Sequence, residues 1–297
     1  MQAAINTGIG EVRIGKKTLG DGQPCYIIAE IGINHNGDID LAKRLINVAS
    51  AAGCDAVKFQ KRTVDVVYTA DELAKPRESP FGTTNGDLKR GLEFGFEDYQ
   101  EIDRYCREVK IPWFASCWDE ASVDLINKFD VPCFKIASAS LTDDNLLRHT
   151  RATGKPIILS TGMSTLEQID HAIDVLGRND LVLMHACSTY PAFYEELNLR
   201  AMRTMADRYK LNIGYSGHET GLPSSIAAAA MGAVLLERHI TTDRAQWGSD
   251  HAASLEPNGI TRLVGYIRLS EKSMGDGVKR VLEREQPIIK KLRRVGA

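Results

Sequence analysis

Two lysines and two histidines give the first indication of chemistry. In AVKFQ, Lys58 and Gln60 alternate with Val57 and Phe59, and in CFKIAS Lys135 stands between Phe134 and Ile136. A strand turns successive side chains to opposite faces, so where the apolar residues meet helices the lysines point inward. An inward lysine needs a partner. It can grip a phosphate or carboxylate, or form a Schiff base, because low dielectric strengthens its hold on an anion; otherwise it pairs with a carboxylate on the next strand, for which Glu30 is placed. Two such lysines point to a doubly charged ligand. Ser138, Ser160, Ser188 and Ser216, each near a strand end, could donate hydroxyls to the same anion or simply cap helices.

His218 in GYSGHETG and His239 in LLERHIT close two consecutive strand candidates, so their imidazoles can converge. Neutral imidazole suits Mn, Fe, Co or Zn more than Mg. Two ligands alone leave positions open for water and substrate, as a catalytic metal requires; the alternative is a pair of core histidines. Glu237 shares the inward parity of His239 and reads as a further ligand or its support. Asp250, in a Gly-Ser-Asp-His turn, could hold sugar hydroxyls, relay a proton or cap the following helix. His35 and His185 are further candidates, whereas His149 and His171 read as helix-surface residues. No P-loop, complete GxGxxG or GxSxG occurs.

Eight short apolar runs must position these groups: Tyr26–Glu30, Ala56–Gln60, Trp113–Ser116, Cys133–Ile136, Ile157–Ser160, Leu181–His185, Asn212–Ser216 and Val234–His239. Amphipathic stretches follow them, among them Leu41–Ala52, Tyr99–Val109, Ala121–Phe129, Leu166–Leu176 and Ile226–Met231, which is a βα repeat. Nearly every run ends in a polar group, and only closure gathers all eight ends around one mouth. The fold expected is therefore an α/β (β/α)8 TIM barrel over residues 23–270, with an N-terminal hairpin over 1–22 and a C-terminal helical extension over 271–297. The connection from Lys61 to Phe96 is too long and too rich in Pro, Gly and charge for a plain loop, and reads as a lid or substrate loop.

Composition narrows the partners. The 297 residues carry a net charge of -2, which argues against nucleic acid or an anionic membrane as partner. No signal core or apolar span is evident, so a soluble cytoplasmic protein is expected. The six cysteines are scattered without a CxxC and read as reduced, packed thiols.

The segments IAEIGINHNG, KFQK, KIAS, LSTGM, GYSGHETG, LERHIT and GSDHAASLEP, in that order, resemble the sialic acid synthase family. The resemblance implies condensation of phosphoenolpyruvate with N-acetylmannosamine, its 6-phosphate or a related sugar aldehyde, giving a nonulosonic acid. It implies that Lys58, Lys135, Ser138, Ser160, Ser188 and Ser216 hold phosphoenolpyruvate, that His218 and His239 bind Mn(II), and that Glu30, Gln60, Tyr190 and Asp250 face the sugar. It also implies a homodimer. Ser140 stands where many relatives carry an acidic residue, and the chain stops about where they continue into an antifreeze-like domain. Arg77, Lys89 and Arg90 in the insertion could serve a phosphorylated or carboxylated acceptor, or form a solvated basic stretch. Two other readings compete: a Schiff-base aldolase acting on pyruvate through Lys58 or Lys135, and a silent barrel serving as a binding subunit.

Overall fold

Each of the eight apolar runs forms a strand because it is buried on both faces, by side chains filling the barrel and by helices outside it. The computed structural model describes Ile5 and residues 8–296. The barrel strands are Tyr26–Gly32, Ala56–Lys61, Trp113–Cys117, Phe134–Ile136, Ile157–Ser160, Leu181–Ala186, Asn212–Gly217 and Leu235–His239. All pair in parallel with their sequence neighbours, and the eighth closes on the first. The fourth and eighth strands start one residue later than Cys133 and Val234, and the helix predicted to reach Phe129 stops at Ile126.

Helix boundaries follow local chemistry. Ile39–Ala52 starts at Asp38, whose side chain accepts from the amides of Asp40 and Leu41, and ends at Gly53 in the left-handed region at φ 82°. Its buried Leu41, Leu45, Ile46 and Ala49 form the stripe that packs on the barrel. Phe59 meets Tyr99 and Trp113 edge-on outside the wall, which fixes Lys58 and Gln60 on the inner face.

The N-terminal hairpin pairs Val12–Ile14 with Lys17–Leu19 and covers the end opposite the mouth. Lys17 Nζ lies 2.5 Å from Asp55 Oδ1, just before the second strand, and Asn212 Nδ2 donates to the Gly10 carbonyl at 2.7 Å. Residues 1–4 and 6–7 of the expected hairpin region lie outside the described residues. At the other terminus, helix Pro257–Met274 packs on the barrel, Gly275 ends it, and a short exposed helix covers Gln286–Leu292. No helix among the described residues is long and apolar enough to cross a membrane.

The insertion after the second strand is a tied structure rather than a free flap. Two short helices, a hairpin (Pro76–Ser79 with Gly82–Thr84) and helix Asn85–Gly91 are anchored at the base by the buried pair Arg62–Glu93 at 2.7 Å. Phe81 reaches the Trp247 ring, on the loop after the eighth strand, at 6.4 Å between centroids.

Candidate active site

Strand register assembles the site. His239 stands beside Glu30, Glu30 beside Lys58, Gln60 beside Ser116, Ser116 beside Lys135 and Ser216 beside Glu237, so five neighbouring pairs of strand residues project into one cavity of about 160 Å³. Glu30, Lys58, Lys135, Ser160, Ser216, Glu237, His218 and His239 are all buried. Gln60, Ser138, Ser188 and Tyr190 complete the lining.

The ion pair expected between Lys58 and Glu30 is present, and the ammonium also lines the cavity. Its Nζ lies 2.7 Å from Glu30 Oε2, 3.7 Å from Glu237 Oε2 and donates to Ser116 Oγ at 2.8 Å. Lys135 Nζ lies 3.5 Å from the same Glu237 oxygen. Glu237 thus serves both ammonium groups while Glu30 pairs with Lys58, so Lys135 is the less closely partnered of the two. Burial opposes the charge of Lys58, but Glu237 and Glu30 outweigh it and raise its pKa. For Lys135 burial prevails, with Lys58 adding to it against Glu237, and its pKa falls. Burial opposes the charge of Glu237, but Lys135 and then Lys58 overcome it and lower its pKa to about 2. Gln60 Nε2 donates to Glu30 Oε1 at 3.0 Å and fixes that carboxyl.

The serines form a second arc. Gly162 N donates to Ser138 Oγ at 3.0 Å, and Ser216 Oγ donates to Glu237 Oε1 at 3.2 Å. None of Ser138, Ser160, Ser188 and Ser216 caps a helix with its side chain. A Cβ added at Gly162 would stand 2.2 Å from Ser188 Oγ and 2.9 Å from Ser138 Oγ, so a bare backbone lets these hydroxyls face one point.

Opposite the lysines, the rings of His218 and His239 lie 5.6 Å apart. His218 Nδ1 is 2.5 Å from the Cys187 carbonyl, which can only accept, so Nε2 keeps its lone pair. Tyr190 Oη donates to that Nε2 at 2.8 Å. Burial, then the neighbouring His239, keeps His218 neutral, with its pKa lowered to about 3. His239 Nδ1 is buried without a hydrogen-bond partner and faces Asp250 Oδ2 at 3.6 Å. Two imidazoles, one held neutral with an Nε2 lone pair that here accepts from Tyr190 and one with an orphaned Nδ1, fit a divalent cation. Among the described residues no three His, Cys, Asp or Glu side chains form a ready cage, so any ion held here keeps positions for water or substrate.

Asp250 does not cap the next helical turn: its side chain accepts from Ser249 Oγ at 2.7 Å and faces His239. His185 Nε2 lies 2.7 Å from the Leu197 carbonyl and His35 stacks on Phe94, so both have packing roles. His149 and His171 lie on the surface beside Asp124 and Asp144. Trp118 and Met163 also line the cavity; both sit just past strand ends, where periodicity carries no signal. A neighbouring cavity of about 310 Å³ opens between insertion and rim, with Arg77 and Lys89 beside Asn36, Glu78 and Trp247. Arg90 instead pairs with Asp65.

A model of the NeuB family matches residues 45–279. The N-acetylneuraminate-9-phosphate synthase of Homo sapiens is 40% identical over 280 residues, covering 92% of this chain and 78% of that protein. The N,N'-diacetyllegionaminic acid synthase of Campylobacter jejuni is 38% identical over 292 residues, covering 94% and 84%. The crystal structure of N-acetylneuraminic acid synthetase from Leptospira borgpetersenii superposes with a TM-score of 0.84 at 29% identity, covering 97% of this chain and 99% of that one.

Proposed function

The chain belongs to the NeuB family, and on that premise we propose that it joins phosphoenolpyruvate to the aldehyde carbon of an open-chain sugar, yielding a 3-deoxy ulosonic acid and phosphate. The observation that carries this reading is the pair of buried ammonium groups, Lys58 and Lys135, sharing Glu237 at 3.7 and 3.5 Å while facing two histidines in the same cavity. A donor with both phosphate and carboxylate offers one anionic group to each, Lys135 above all, whose nearest carboxylate is the shared Glu237.

Lys58 and Lys135 take the donor's two anionic groups, and Ser138, Ser160, Ser188 and Ser216 add hydroxyl donors. Glu30 and Gln60 form one wall of the acceptor side, Tyr190 and Asp250 the other. The enol methylene forms the new C–C bond to the aldehyde carbon, and the aldehyde oxygen takes up a proton, a role this proposal gives to Glu30 or Asp250. Water then adds at the enol carbon and the C–O bond to phosphate breaks, releasing inorganic phosphate. A divalent ion held by His218 and His239, Mn(II) in this proposal, supplies Lewis-acid activation of a carbonyl oxygen when bound. A cytoplasmic homodimer belongs to the same proposal, and sedimentation checks the assembly.

The test is phosphate release from phosphoenolpyruvate with Mn(II) against a panel of aldoses, including N-acetylmannosamine, its 6-phosphate, mannose and pentoses, with and without EDTA. Sugar-dependent, EDTA-sensitive release is expected. No release with any sugar from folded, metal-loaded protein would sink the synthase reading. The lowered pKa of Lys135 favours a second reading, a Schiff-base aldolase, because burial eases loss of the proton that keeps the amine from acting as a nucleophile. Borohydride trapping with pyruvate, insensitive to EDTA, distinguishes it.

A further inference from the structure

Behind the two histidines lies an ion pair that the reaction itself does not touch. Glu219 follows His218 and Arg238 precedes His239, so each is turned away from the cavity, and both are 0% exposed. Arg238 Nη1 donates to Glu219 Oε1 at 3.2 Å, to Ser225 Oγ at 2.8 Å and to the Gly221 carbonyl at 2.9 Å, while Nη2 donates to the Glu219 carbonyl at 2.5 Å. Tyr215 Oη and Ser225 Oγ donate to the two carboxylate oxygens at 2.9 and 3.2 Å. The pair packs so closely over Gly217 that a Cβ there would stand 2.7 Å from Glu219 Oε2.

The same turn reaches Tyr190. Ala192 N donates to the His218 carbonyl at 3.1 Å, and Tyr194 Oη to the Thr220 carbonyl at 2.6 Å. The guanidinium and carboxylate thus join the pieces of the mouth carrying His239 and His218, and the backbone of the same turn holds the piece carrying Tyr190.

A buried ion pair adds little net stability, since desolvation offsets its attraction, and apolar residues of similar volume often serve as well. Its distinctive property is geometry. A planar fork bound to two backbone carbonyls, a hydroxyl and a carboxylate admits one setting of the seventh strand's end against the eighth. We propose that Arg238 and Glu219 are positioning residues that set the separation and orientation of His218 and His239, and through them the affinity for a divalent ion. This rests on the metal reading above.

The experiment titrates the full chain with Mn(II) alone, read by calorimetry, and with Co(II) alone, read by its visible absorption, which reports ligand geometry. The double variant Glu219→Leu with Arg238→Met removes both charges together and leaves none buried alone. It is expected to melt cooperatively yet bind Mn(II) about tenfold or more weakly, with a changed Co(II) spectrum. Tyr215→Phe and Ser225→Ala, which loosen the pair by one or two hydrogen bonds, decide the matter if the double variant does not fold; each is expected to weaken binding in the same direction. Variants that bind as the parent does, with its Co(II) spectrum, overturn this inference alone. A parent chain that takes up neither ion overturns the metal reading and this inference with it.

Discussion

Replacing Gly162 by alanine isolates the anion cradle from the rest of the barrel. The residue is not in the left-handed region, so the added methyl strains no backbone; its effect is contact. Its Cβ would stand 2.2 Å from Ser188 Oγ and 2.9 Å from Ser138 Oγ, with the Ala186 carbonyl at 3.2 Å. The first distance is far inside van der Waals contact, so the Ser188 hydroxyl must swing away and Ser138 must shift. A hydrogen bond to a charged group contributes about 1.5–3 kcal/mol. Loss of one therefore raises the KM for phosphoenolpyruvate by about 10–100-fold, at about 1.4 kcal/mol per tenfold. The assay is steady-state phosphate release at saturating sugar and metal, supported by calorimetric binding of phosphoenolpyruvate. Gly265→Ala, on an exposed helix face with nothing within 4 Å, is the control and leaves KM unchanged. A Gly162→Ala protein with parental KM would refute the assignment of these serines to the phosphoenolpyruvate site.

Other perturbations follow the same geometry. Glu237→Gln leaves two buried ammonium groups sharing only Glu30, and should lower stability by about 3–5 kcal/mol in urea melts, with phosphoenolpyruvate restoring more stability than it adds to the parent. His35 is held neutral, chiefly by burial and then by Arg62, with its pKa lowered to about 3. The unfolded chain protonates near the usual value, so the stability His35 contributes is present above that value and is lost as pH falls through it toward 3. Relative to a His35→Gln variant, the parent should lose about 2 kcal/mol between pH 7 and pH 5 in urea midpoints; parallel profiles would refute this. Among the thiols, burial raises the pKa of Cys25, Cys54, Cys106, Cys117 and Cys133, so iodoacetamide should label Cys187 first in the native protein, read by mass spectrometry.

Much of the site was legible because strand alternation is a strict rule: once Phe59 and Phe134 are given to the helices, Lys58 and Lys135 must face inward. The sharing of Glu237 by both lysines was not legible, because it depends on the stagger between the eighth strand and the second and fourth. Asp250 shows the limit of loop reading: its turn composition allowed a cap, and only three-dimensional placement turned it to His239. Gly162 was visible as a letter in LSTGM, but its need for an absent side chain is set by Ser138 and Ser188 from other strands. The insertion was correctly placed over the mouth by its position after a strand's C-terminal end, while its anchoring by Arg62–Glu93 and Phe81–Trp247 required partners far apart in the chain.

That last contact has a bearing on how such a barrel can be re-engineered. Because Phe81 and Trp247 meet across the rim, that part of the rim is a composite of two loops separated by more than half of the chain. Transplanting the insertion alone from another barrel would leave Trp247 without its counterpart and the rim mismatched. The two loops form one cassette, and only their joint exchange would replace this part of the rim intact while leaving the lysines and histidines below undisturbed.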